Sequence, residues 1–278
     1  ALGTGRFDAP DLVRNRLVGD AGRIDPQFSF LQVRQADGDL AVVGTYAAHA
    51  TVVSSREMRF HGDYPGAWER AMENSTRGLA VFLAASVGSH SPMAPAGGYA
   101  GAVQMGEELA RRTREALATN RWESTTTLGL VDLPVDLPEL HPRVTDGLRL
   151  RPAVARHLLP VGEGTRLQGL RLGDSLWLGT PCDYSGELTL ELRPRLAGVV
   201  PGPITVTSFN GDYLGYVIPS RYYHLEGYEP RTMSFFGPAV PDYFQELLET
   251  IGRQLFPSHG AEANGGPKFS KFLGLSRR

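Results

Sequence analysis

The chain of 278 residues contains a single cysteine, Cys182. No disulfide can close within it, and a cysteine-based zinc knot is excluded. Charge of one sign is also missing: 28 Lys and Arg stand against 30 Asp and Glu, a formal net charge of −2 with no basic stripe. Phosphate backbones are bound by clustered Lys and Arg, so nucleic acid is excluded as a partner. No apolar run approaches the roughly 20 residues that cross a bilayer, no signal peptide is recognisable, and the Gly-x-Ser-x-Gly spacing of a nucleophile elbow is absent. What remains is an ordinary globular composition, 41% hydrophobic and 21% charged, with length enough to bury a large core.

Hydrophobic period and turn chemistry divide the chain into alternating elements. The first 25 residues are polar with Gly and Pro and predict loop. Phe28–Val33 and Leu40–Ala48 predict a hairpin across the turn Ala36-Asp37-Gly38-Asp39. A helix is expected from Ala67, with Asp63 before it as a turn or cap residue and His61 in a surface loop. Leu79–Ala85 is continuously apolar and reads as a central buried strand delivering Ser86-Val87-Gly88-Ser89-His90-Ser91-Pro92-Met93 at its end. An amphipathic helix opens near Gly97 and runs through Leu109, Thr113 and Leu117. Thr125–Leu137 is strand-like but interrupted by Pro134, and the Arg-rich section beyond His141, with His157, reads as surface. Leu167–Leu172 and Ser175–Thr180 predict a second hairpin turning at Gly173-Asp174, Pro203–Phe209 a further strand, and Val240 to Leu255 a closing helix. The fold class is therefore α/β, a mixed β-sheet core covered by helices. One domain is expected over residues 1–258, followed by a flexible polar tail over 259–278.

Some of these elements carry residues with chemical capacity. His49 stands at the lip of a buried strand, which suits a metal ligand or general base, although the position taken alone favours a histidine bonded to nearby backbone. Asp183, after Gly179-Thr180-Pro181-Cys182, reads by its own residues as the N-cap of a helix through Leu188 and Leu190. Glu187 is a second carboxylate a turn further on. His90 is adjacent to Ser91, and neighbouring side chains on an extended chain point apart, so it is not expected to act as that serine's base. Tyr213, Tyr222 and Tyr223 are expected to stack in core or loop.

The order of several motifs resembles the neutral ceramidase family. The similar elements are Asn15-Arg16, then Asp25-Pro26 and a strand, then Ala48-His49-Ala50-Thr51, then Gly62-Asp63-Tyr64-Pro65-Gly66. Gly88-Ser89-His90-Ser91-Pro92-Met93 is similar to the family's Gly-Asp-Val-Ser-Pro-Asn motif, with Ser89 for Asp and Met93 for Asn. The block from Asn210 to Glu229 resembles the family's Asn-x-Tyr-x-x-Tyr element and its later Tyr-Glu pair. By this resemblance His49, Asp183 (in place of a glutamate) and Tyr216 are expected to bind Zn²⁺. Arg16 and Tyr228 are expected to stabilise an oxyanion, and Ser91 falls on the family's active-site serine, as hydrogen-bond donor or nucleophile.

The resemblance implies zinc-dependent hydrolysis of the N-acyl bond of a ceramide-like sphingolipid. It further implies peripheral membrane contact and a secreted or periplasmic location. The family's upstream His-x-His motif has no counterpart here, which reads as a fragment lacking the first part of the catalytic domain. The rival readings are a metal-free or non-catalytic homologue acting as a binding domain, and a serine hydrolase using Ser91.

Overall fold

The structure, a computed structural model, describes residues 1–123, 126–145, 147–159, 161–162 and 164–257. The expected tail and Thr125 lie outside the described residues. The first half builds one four-stranded sheet from β1 (Leu2–Asp8), β3 (Gln27–Arg34), β4 (Leu40–Tyr46) and β5 (Leu79–Ala84), in the order β1-β3-β4-β5. A short β2 (Val13–Asn15) pairs antiparallel with β6 (His90–Pro92). Helices α1 (Asp63–Thr76) and α2 (Gly98–Thr119) pack on one face of that sheet. Their shared core holds Phe28, Phe30, Val42, Tyr46, Tyr64, Trp68, Met72, Met105 and Leu109. Its aromatic contacts include Phe28 on Trp68 at 5.7 Å between ring centroids and Tyr64 edge-on to Phe82 at 5.5 Å.

The second half builds another four-stranded sheet from β7 (Leu128–Asp136), β8 (Gly164–Leu172), β9 (Ser175–Gly179) and β11 (Ile204–Thr207), in the order β11-β9-β8-β7. Between β7 and β8 lies a short α3 (Pro152–Leu158). A two-residue β10 (Asp183–Tyr184) leads into α4 (Gly186–Leu196), and β12 (Tyr216–Val217) precedes the last helix, α5 (Val240–Leu255). The apolar stripes of α4 and α5 cover this sheet through Leu188, Leu192, Phe244, Leu248 and Ile251. Both sheets mix parallel and antiparallel pairs, so the fold is mixed α/β with helices over sheets.

Both hairpins form as expected. The β8–β9 turn places Gly173 at φ +60, the first central position of a two-residue hairpin turn, where glycine alone enters without steric cost.

Three expectations are corrected. Residues 2–8 form a strand, because β1 supplies a full ladder along β3 from Leu2↔Val33 to Asp8↔Gln27 although its own sequence alternates weakly. β7 runs through Pro134, which an edge strand tolerates because only one side of it carries a ladder. β5 is an edge strand among the described residues: it pairs only with β4, and Leu79, Val81 and Leu83 face outward while Ala80 and Phe82 face inward. An unbroken apolar run does not distinguish a strand buried on both faces from one buried on a single face.

Candidate active site

The site is assembled just past the end of β4 and at the first residues of β10 and β12. β4 carries the buried Tyr46, Ala47 and Ala48 directly up to His49, whose side chain is 15% exposed. The strand end is pinned, since the Tyr64 hydroxyl donates to the Ala48 carbonyl and the Ala85 N–H donates to the Tyr46 carbonyl at 3.2 Å. Asp183 and Tyr216 are direct partners in the parallel β10–β12 pairing, which sets carboxylate and phenol side by side. Two glycines permit this packing. A Cβ on Gly88 would stand 2.3 Å from the Asp183 carbonyl oxygen, so only glycine lets this loop lie against β10. Gly215 has φ +75, and a Cβ there would meet the Met233 carbonyl oxygen at 2.3 Å, immediately before Tyr216. Arg16 is presented by a turn in which Asn15 Oδ1 accepts from the N–H groups of Leu17 and Val18 at 3.0 and 3.1 Å.

His49 Nε2 lies 3.0 Å from Asp183 Oδ1 and 3.2 Å from the Tyr216 hydroxyl. Arg16 Nη2 donates to the Tyr216 hydroxyl at 2.9 Å, and Arg16 Nε pairs with Glu229 Oε1 at 2.8 Å. The Tyr213 hydroxyl donates to Asp183 Oδ2 at 2.9 Å. Tyr228 stands edge-on to Tyr216 at 5.7 Å between centroids and is 55% exposed, at the rim. Burial pushes the Tyr216 phenol up to about 12, with the Asp183 carboxylate adding to the rise and Arg16 opposing it. Burial and the Asp183 carboxylate raise Tyr213 as well. Both phenols are therefore neutral near pH 7.

The cluster has more acceptors than hydrogens. Asp183 is 2% exposed, yet its Oδ1 accepts no hydrogen bond, because His49 Nε2 is close but not aligned to donate. The Tyr216 hydroxyl already accepts from Arg16, so with the imidazole hydrogen on Nδ1 the His49 Nε2 lone pair, the Asp183 carboxylate and the phenol oxygen face the same space. One nitrogen and two oxygen donors converging in this way fit a divalent cation such as zinc. Among the described residues no group of three or more His, Cys, Asp and Glu side chains is arranged to hold a metal ion. Here the third donor is a phenol.

The remaining candidates lie elsewhere or act structurally. Ser91, in β6, accepts from Arg14 Nε at 3.3 Å and lines a groove with Leu12, Thr51, Val52 and Met93. His90 does not turn toward it: Nε2 accepts the Asp25 N–H at 2.9 Å, so the proton sits on Nδ1 and is donated to Ser89 Oγ at 2.8 Å. Burial lowers the His90 pKa to about 4. Asp183 is not the cap of α4; Ser185 is, accepting the Glu187 N–H at 3.3 Å. Glu187 is buried and fully engaged by Asn15, Arg221 and Tyr222. Asp63 accepts from the Tyr64 and Val53 N–H groups and shapes the loop that follows His49. His61 is exposed at that loop's base, its ring against Tyr99. His157 is exposed and bonded to the Ala153 carbonyl. Sequence reasoning missed Tyr213, read as a stacking residue, and Glu229, whose pairing with Arg16 spans most of the chain and leaves no local pattern.

The fold defined here, helix-covered mixed sheets, is similar to that of solved ceramidases. The structure of neutral ceramidase from Pseudomonas aeruginosa matches with a TM-score of 0.74 at 18% identity, over 91% of this chain and 52% of that one. A structure titled as ceramidase complexed with C2 matches with a TM-score of 0.73 at 17% identity, over 91% of this chain and 53% of that one. The chain thus spans about half the length of these neighbours. No family model and no curated protein matches it. No helix among the described residues is long and apolar enough to cross a membrane.

Proposed function

We propose that this chain carries the zinc site of a ceramidase-type amidohydrolase, which cleaves the N-acyl bond of a ceramide-like lipid to a sphingoid base and a fatty acid. The observation that carries this reading is the convergence of Asp183 Oδ1, at 3.0 Å, and the Tyr216 hydroxyl, at 3.2 Å, on His49 Nε2, in a fold similar to that of solved ceramidases. His49, Asp183 and Tyr216 would hold the ion. When bound, zinc supplies a Lewis-acid charge that polarises an amide carbonyl and makes water a stronger acid.

The chain's own residues supply the rest. Tyr213 holds the second Asp183 oxygen and so fixes which oxygen faces His49. Glu229 anchors Arg16, holding its guanidinium in place beside Tyr216. A fixed cationic donor of this kind stabilises an oxygen that gains charge when the amide carbon is attacked, because no reorganisation is needed at that moment. Tyr228, exposed at the rim, adds a hydroxyl donor from the solvent side. Ser91, in the adjoining groove, acts in this reading as a hydrogen-bond donor to the polar part of the lipid. The serine-hydrolase alternative is disfavoured, since both nitrogens of His90 are already engaged.

The reading is tested by hydrolysis of a short-chain fluorescent ceramide by the natural full-length protein. Hydrolysis should vanish with a chelator, return with zinc and be lost in His49→Ala. Arg16→Ala should lower kcat by about 10²-fold. Turnover unaffected by His49→Ala would exclude this site.

A further inference from the structure

We propose that the loop joining His49 to α1 docks the protein on a lipid bilayer. Its tip carries Met58 at 91% and Phe60 at 110% relative exposure, the two most exposed large apolar side chains among the described residues. Arg56 precedes them and Arg59 stands between them, both exposed, and the one acid in this stretch, Glu57, lies 3.6 Å from Arg59. The base of the loop is pinned. Asp63 Oδ2 accepts the Val53 N–H at 2.8 Å across the loop's mouth, and His61 Nδ1 accepts the Asp63 N–H at 2.7 Å. The Tyr99 ring takes the Arg59 guanidinium at 4.9 Å on one side and the His61 ring at 4.5 Å on the other. The loop is therefore held at its root while two apolar side chains project into water.

A single exposed apolar residue needs no explanation, but Met58 and Phe60 project together from a pinned loop that also carries Arg56 and Arg59. A convex tip of two side chains cannot bury the roughly 800 Å² per partner of a stable protein interface. At a membrane the same tip is complementary: Met58 and Phe60 enter the acyl boundary, and the arginines reach back to lipid phosphates. The loop begins at the residue after His49, so Met58 lies within about 30 Å of the candidate ligand along the chain. A protein docked through this tip meets a membrane-embedded lipid close to where that lipid would react. The inference rests on the lipid-hydrolase reading for its purpose, but its test does not use hydrolysis.

Sedimentation with phosphatidylcholine vesicles, with and without phosphatidylglycerol, reads the docking directly. The wild-type chain should sediment with vesicles. Met58→Ser and Phe60→Ser should each weaken partition by about tenfold, with unchanged circular dichroism and melting temperature as the check on folding. Arg56→Glu should weaken binding to the phosphatidylglycerol vesicles more than to pure phosphatidylcholine. Failure of the wild type to sediment, or equal sedimentation of Phe60→Ser, would overturn the inference. A wild-type dimer that Phe60→Ser converts to a monomer would also overturn it, by making the tip a protein contact. Vesicle binding without ceramide turnover in the full-length protein would leave the docking intact and remove the hydrolase reading. Turnover of soluble short-chain ceramide without vesicle binding would do the reverse.

Discussion

Asp183 in β10 and Glu187 in the first turn of the following helix are both buried, at 2% and 1% exposure, and the protein treats them in opposite ways. Glu187 is satisfied on both oxygens: Oε1 accepts from Asn15 Nδ2 at 2.7 Å, and Oε2 accepts from Arg221 and from the Tyr222 hydroxyl. Asp183 accepts from Tyr213 on one oxygen and presents the other, without a donor, to His49. The two histidines repeat the contrast. His90 is fully buried with both nitrogens engaged by Asp25 and Ser89. His49 stands at the edge of solvent with Nε2 shared between a carboxylate and a phenol. A saturated buried network rigidifies a fold, whereas an unsaturated convergence of lone pairs has capacity left for a ligand.

The contrast can be sharpened by measurement. The largest stability effect belongs to His90. Its folded pKa of about 4 lies below the ordinary 6.5, so the unfolded chain binds more protons between these values and stability rises with pH there. Its contribution is complete above about pH 6.5 and is lost as the pH falls toward 4, on the order of 3 kcal/mol in all. Denaturant unfolding across that range should show the decline, and His90→Gln should flatten it. A slope unchanged in His90→Gln would show that other groups carry the acid sensitivity.

Glu187→Ala comes next. It removes one of two acceptors from the Asn15 amide and one of two carboxylates from Arg221, which is half-exposed and keeps Glu191 at 2.8 Å. The loss should be about 2 kcal/mol, below the roughly 3–5 kcal/mol of a wholly buried pair. Asp183→Asn should be the mildest, within about 1 kcal/mol, because it neutralises a charge that lacks a full set of donors and retains an acceptor for Tyr213. If Asp183→Asn proves the more destabilising of the two, the distinction between the carboxylates is wrong.

Much of the framework was legible in the sequence because it rests on local signals. The Gly173-Asp174 turn, the stripe of α5 and the strand leading to His49 each depend on residues close together in the chain. The site is legible only in part. That Asp183 lies beside Tyr216 is a matter of β10–β12 register, a pairing of two short strands that carry no period of their own. Asp183 looks like a cap because Asp favours that position, yet Ser185 stands two residues later and takes it. Tyr213 has the composition of a stacking residue, and only the fold shows its hydroxyl on the Asp183 carboxylate. The edge position of β5 was hidden for the same reason, since which strand lies beside it is a tertiary fact.

Zinc titration of the chain by calorimetry, with the four variants His49→Ala, Asp183→Asn, His90→Gln and Glu187→Gln in parallel, tests the central claim most directly. The account predicts zinc binding by the wild type, its loss in His49→Ala and Asp183→Asn, and its retention in His90→Gln and Glu187→Gln wherever these remain folded. Zinc binding that survives both His49→Ala and Asp183→Asn, or no binding by the wild type at all, would contradict it.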